Sequence, residues 1–140
     1  MTLYEFVHRL ENIALNMPNV RSAGHNKLYD FMANPEVEYR VFYVTQNQHQ
    51  SYDNFDVYNV NLFIIDRLLP DYSNELEIQS AAKTTLDNIV EKFCDLYNSE
   101  IVGGTNTRKY SPFTEKFNSL TAGMFLTIKI EVPKDIVCAE

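Results

Sequence analysis

Apolar residues Leu3, Phe6, Val7, Leu10, Ile13, Ala14 and Met17 recur at steps of three and four, the spacing that lines one face of an α-helix. Thr2 followed by Glu5 has the form of a capping box, and Pro18 closes the run, so the pattern predicts a helix over 3–17. His8, Arg9, Glu11, Asn12 and Asn16 fall mainly on the other, wetted side. Residues 20–23 suit a short strand, and 24–27 (GHNK) supply turn residues. Residues 28–34 fit neither period. The stretch 37–45 (VEYRVFYVT) is β-branched and aromatic and predicts a strand. Polar residues 46–54 (QNQHQSYDN) predict an exposed loop or hairpin tip, and a long strand follows over 55–66, where Val60, Leu62 and Ile64 alternate with Asn59, Asn61 and Phe63. The two strands read as an antiparallel hairpin.

Pro70, Asp71 and the Ser73–Asn74 pair end that unit and offer an N-cap. Leu76, Ala82, Leu86, Ile89, Val90, Phe93 and Tyr97 then keep helical spacing, predicting a second helix over 75–98. A polar connector with Gly103 and Gly104 leads to a last strand, in which Met124, Leu126, Ile128, Ile130 and Val132 alternate with Phe125, Thr127, Lys129 and Glu131 before Pro133. Gly123 inside this β-prone segment predicts a bulge or a close backbone approach. These elements imply one α+β domain over 1–140: a mostly antiparallel sheet of about four strands, with two helices packed on one face.

Composition narrows the function. The 12 Lys and Arg against 19 Asp and Glu give a formal charge of −7, which argues against a surface that wraps phosphates. A conduit through which DNA slides without specific binding is compatible with that charge. Residues 1–5 lack the layout of a secretory signal, and no apolar run reaches the ~20 residues that span a bilayer, so the expectation is a soluble product made in a cytosol without membrane contact. The two cysteines, Cys94 and Cys138, match neither a zinc ribbon nor a CxxC pair and are expected as free thiols.

No complete catalytic set is legible, and the chain is read as a non-enzyme with no cofactor and no metal. His8, His25 and His49 are isolated in sequence and lie on different expected elements, so none forms the two-on-one-face spacing of a helical metal site; convergence in space is left open. The acidic pairs Asp53/Asp56 and Glu36/Glu38 read as solvated loop carboxylates, and Asp66 as serving strand-end packing or an ion pair. A site built from His49, Asp53 and Asp56 is the one enzymatic alternative. The Gly103–Gly104 loop lacks a phosphate-wrapping motif, and no serine stands in GxSxG.

The stretch 110–124 (YSPFTEKFNSLTAGM), with VPKDIVC over 132–138 after its strand, resembles small virion proteins of phages infecting Bacteroidetes, including the crAss-like group. Met124 stands where that pattern has an aromatic, and Arg40-Val41-Phe42 where it has a proline before an aromatic. The order of helix, hairpin, helix and final strand is similar to the tail-terminator and tail-completion class. This resemblance implies a structural virion protein of the neck or tail: a ring homo-oligomer at the head–tail junction, contacting a portal or adaptor and other tail or neck proteins. The alternative is a small adaptor or inhibitor that binds a host protein through exposed aromatic loops. On either reading the candidate contact residues are His49, Tyr52, Tyr72, Arg108, Lys109, Tyr110 and Phe113, carried by loops 46–54 and 101–112 and the flanking turns. Arg108 and Lys109 are expected to pair with acidic neighbours on adjacent subunits. Phe113 and Phe117 are expected to anchor the final segment.

Overall fold

Helix α1 spans Leu3–Leu15 in a computed structural model that describes residues 1–25, 27–34, 37–102, 108–116 and 120–134. Both halves of its capping box are formed: Glu5 N–H donates to Thr2 Oγ1 and Thr2 N–H to Glu5 Oε1, each at 3.1 Å. Phe6, Val7, Leu10, Ile13 and Ala14 are buried as the period requires. Glu11, assigned to the wetted side, is buried as well. The later helix, α3, spans Glu75–Tyr97 and buries Ile78, Ala82, Leu86, Ile89, Val90 and Phe93. Asn98, left-handed at φ 49°, ends it by donating its N–H to Cys94 O. Asn74 occupies the N-cap position without capping. Its side chain instead accepts from Leu69 N–H at 2.8 Å and donates to Arg67 O at 3.2 Å, which ties the preceding turn together.

The strands are β1 (Ser22–Gly24), β2 (Val41–Gln46), β3 (Gln50–Ser51), β4 (Phe55–Arg67), β5 (Glu100–Ile101), β6 (Lys109–Lys116) and β7 (Leu120–Pro133), and a short helix α2 (Leu28–Met32) follows β1. They form one sheet in the order β1-β2-β4-β7-β5, with β3 also on β4 and β6 also on β7. The α+β class stands, but the expected count of about four strands and two helices does not: there are seven strands and three helices among the described residues. The sheet is also mixed, because β1 runs parallel to β2. The short strand expected over 20–23 is present as β1. Of the three additional strands, β3 and β5 are two residues long, too short to show a period. The third, β6, takes in the end of the stretch 101–112 read as loop; its Pro112 has no N–H to donate, which an edge strand tolerates.

Register fixes the two faces. Val44, Leu62 and Leu126 form one row, and with Phe42, Val60, Ile64, Ile128 and Ile130 they meet α1 and α3 in the main core. The adjacent row, Tyr43, Phe63 and Phe125, points the other way. Part of this second face is covered from within the chain: Phe31 and Met32 of α2, together with Phe113 of β6, pack around Val41, Phe63 and Ile65. That part of the face is closed from within the chain. Thr45, Asn59, Asn61, Thr127 and Lys129 occupy the rest of the face and are half-buried or exposed.

Gly123 sits where β4, β7 and β6 run side by side, paired with Ile65 and Phe113 in an uninterrupted register. A Cβ there would land on the Ile64 carbonyl oxygen and press on the Phe113 ring. Of the two readings of this glycine, the structure selects close backbone approach over a bulge. Among the described residues, no helix is long and apolar enough to cross a membrane.

Candidate functional site

The seven candidate contact residues do not share one surface. His49 and Tyr52 lie in the β2–β4 connection. Tyr52 is half-exposed and stacks on Phe55 with ring centroids 4.7 Å apart. His49 has turned inward, because Asn59 N–H, opposite the gap between β2 and β3, donates to its Nδ1 at 3.0 Å. Its Nε2 lies 3.1 Å from Gln46 Oε1, so the tautomer carrying hydrogen on Nε2 satisfies both contacts. Burial lowers the His49 pKa, since a charged ring there loses water.

Tyr72 lies in the turn between β4 and α3, where its backbone is left-handed at φ 62°. A β-carbon disfavours that conformation, so a Tyr there stores strain. Leu69, Tyr72 and Leu76 are 50%, 51% and 78% exposed, which makes this turn an apolar protrusion. Sequence reading identified Tyr72 alone. It placed Leu76 on the buried stripe of α3, whereas the first turn of that helix leaves Leu76 in solvent.

Arg108 and Tyr110 serve the fold. Arg108 Nη1 donates to Asp87 Oδ1 at 3.0 Å and lies 3.7 Å from Glu91 Oε1, with the side chain only 10% exposed. The expected pairing of Arg108 with another subunit is therefore replaced by a tie from β6 to α3 of the same chain. Tyr110 packs against the main core beneath Lys83, whose Nζ lies 4.7 Å from the ring centroid. Lys109 is exposed on β6. Phe113 is half-buried, 6.0 Å from Phe63 and 6.4 Å from Phe125 by ring centroids.

His49, Asp53 and Asp56 are not joined into an acid–base unit by the contacts they make. Asp56 accepts from Ser51 Oγ at 2.6 Å and lies 3.9 Å from Lys134 Nζ, while His49 engages Gln46 and Asn59. Asp53 is exposed. Asp66 pairs with Arg40 Nε at 3.1 Å, one of the two roles anticipated for it. Cys94 is half-buried, and burial pushes its thiol pKa up against the opposing pull of Arg108, which leaves it a poor nucleophile. Glu36, the Gly103–Gly104 pair, Phe117 and Cys138 lie outside the described residues.

One cluster was not legible in the sequence. His8 and Glu11 stand one helical turn apart on α1, and His25, just after β1, reaches the same point. His25 Nδ1 and Glu11 Oε1 are 2.8 Å apart, and His8 Nδ1 is 3.9 Å from the same oxygen. Fourteen residues separate Glu11 from His25, so only the tertiary fold joins them. No protein-family model matches the chain, and no curated protein matches it.

Proposed function

We propose that this chain is a structural subunit of a bacteriophage neck or tail, several copies of which close into a ring around the DNA path, and that it acts without making or breaking a covalent bond. The observation that carries this reading is the exposed apolar turn Leu69–Tyr72–Leu76 on a sheet with open outer edges at β1 and β6. A head-to-tail ring needs two different surfaces on each copy. The protruding turn is suited to one, and the outer edges of β1 and β6 to the other, since an edge strand offers unpaired N–H and C=O groups to an incoming chain. The strained Tyr72 backbone fits the same role, because strain persists where a residue is held for contact rather than for stability.

The remaining surface suits a passage for DNA. On the uncovered part of the second sheet face, Asn47 donates to Asn59 and Asn61, Asn61 donates to Thr45, and Thr127 donates to Asn61. These neutral groups engage one another; Lys129 is exposed beside them, and on a chain of net charge −7 the face as a whole gives phosphates little to hold. A portal or adaptor above and tail proteins below would meet the ends of the sheet. The test is the composition of purified particles of the phage that encodes the chain. A fixed, multiple copy number per particle is expected, and particles that lack the chain would refute the reading.

A further inference from the structure

The His8–Glu11–His25 cluster has a chemistry that neither the core nor the proposed ring uses. Its construction follows from local rules. His8 and Glu11 are three residues apart on α1 and share a face. Along β1 the side chains alternate: Ala23 packs toward the helices, and Gly24 lies under the Tyr43 and Phe31 rings on the opposite face. His25 then returns to the helix side and meets Glu11. A Cβ on Gly24 would stand 2.7 Å from Tyr43 Cε2, so the close passage that delivers His25 depends on this glycine.

Within the cluster, polar atoms face one another without the hydrogen bonds that would explain them. Glu11 is only 9% exposed. Its Oε1 and His25 Nδ1 are both shielded from solvent, and despite their 2.8 Å separation neither makes a hydrogen bond of acceptable geometry. A buried carboxylate oxygen calls for a positive counter-charge, which either a protonated His25 ring at 2.8 Å or a metal ion shared with that ring would supply. The three donor atoms lie within 4.8 Å of one another. A tetrahedral zinc site with bonds of about 2.0–2.1 Å has ligand–ligand edges of roughly 3.3 Å. The observed separations of 2.8 and 3.9 Å bracket that edge.

We propose that His8 Nδ1, Glu11 Oε1 and His25 Nδ1 bind one divalent transition-metal ion of the zinc type, with water as the fourth ligand on the solvent side. Two imidazole nitrogens and one carboxylate oxygen favour zinc and its neighbours over calcium or magnesium, which prefer all-oxygen shells. The His8 and His25 side chains are 41% and 35% exposed, leaving an approach for the ion and its water. Bound there, the metal would pin the end of edge strand β1 to α1. This site stands independently of the ring reading.

Chelator-treated full-length chain is titrated with Zn²⁺ by calorimetry and, separately, with Co²⁺ by visible absorption. One ion per chain is expected, with Co²⁺ bands of tetrahedral N/O coordination and a rise in melting temperature on zinc addition. His8→Asn, Glu11→Gln and His25→Asn should each weaken binding by at least about tenfold. Glu11→Gln alters a buried position, whereas His8→Asn changes a half-exposed ring and keeps the test clear of misfolding. No stoichiometric uptake by the unmodified chain, or unchanged affinity in any folded variant, would overturn the assignment.

Discussion

At the residue scale, two side chains carry effects that a contact map alone would not suggest. Tyr72 holds a left-handed backbone while its ring stands in solvent, so glycine at that position relieves strain and loses little packing. Tyr72→Gly is expected to stabilise the isolated chain by about 0.5–1 kcal/mol in urea denaturation while reducing incorporation into particles. Destabilisation of the isolated chain would show that the ring contributes to the fold. His49 acts through pH. Burial holds its folded pKa below 6.5, so the unfolded chain takes up a proton that the folded chain resists. The stability it contributes is complete above pH 6.5 and declines as pH falls from there toward the folded pKa. Comparing urea midpoints at about pH 5 and about pH 7.5 should show a larger acid loss in the unmodified chain than in His49→Asn. Equal losses in the two proteins would remove His49 from the acid response.

At the scale of elements, β4 and β7 are the spine, paired from Phe55↔Pro133 to Arg67↔Thr121. Gly123→Ala would drive a methyl into the Ile64 carbonyl, a backbone atom that cannot swing aside. A loss of about 3 kcal/mol is expected, read as a drop in the urea midpoint. A change below about 0.5 kcal/mol would mean that the strands separate freely at this point. In the sequence Gly123 was legible as either a bulge or a close approach; α1, β4, α3 and β7 were legible because each is long enough to repeat its period several times, and β2 because it is β-branched and aromatic. The sequence was silent where the period cannot speak. The two-residue strands β3 and β5 have no alternation to detect, the parallel β1–β2 pairing depends on register rather than composition, and Lys109–Lys116 carries a proline. Contacts between elements also reversed two assignments. Glu11 is buried with His25 against it, and Leu76 is exposed on the first turn of α3, although Glu75 beside it accepts from Thr114 of β6 and Ile78 is buried.

For the whole molecule, the candidate surface was partly legible. Tyr52, Tyr72 and Lys109 are exposed as a contact role requires, while Arg108 and Tyr110 hold β6 against α3 and Phe113 closes the second face of the sheet. A basic residue and two aromatics in a polar stretch look alike whether they serve a partner or their own fold; only the tertiary position of Asp87 and of the Phe63–Phe125 pair separates the cases. On the proposed ring role, the surface left for assembly is therefore smaller and centres on one turn and the sheet edges. The most direct test of its role is a cryo-electron microscopy reconstruction of the neck and tail of the particle. A closed ring of copies of this chain around the DNA path is expected, with Leu69, Tyr72 and Leu76 buried against a neighbouring protein. A reconstruction in which every neck and tail density is assigned to other chains would contradict it.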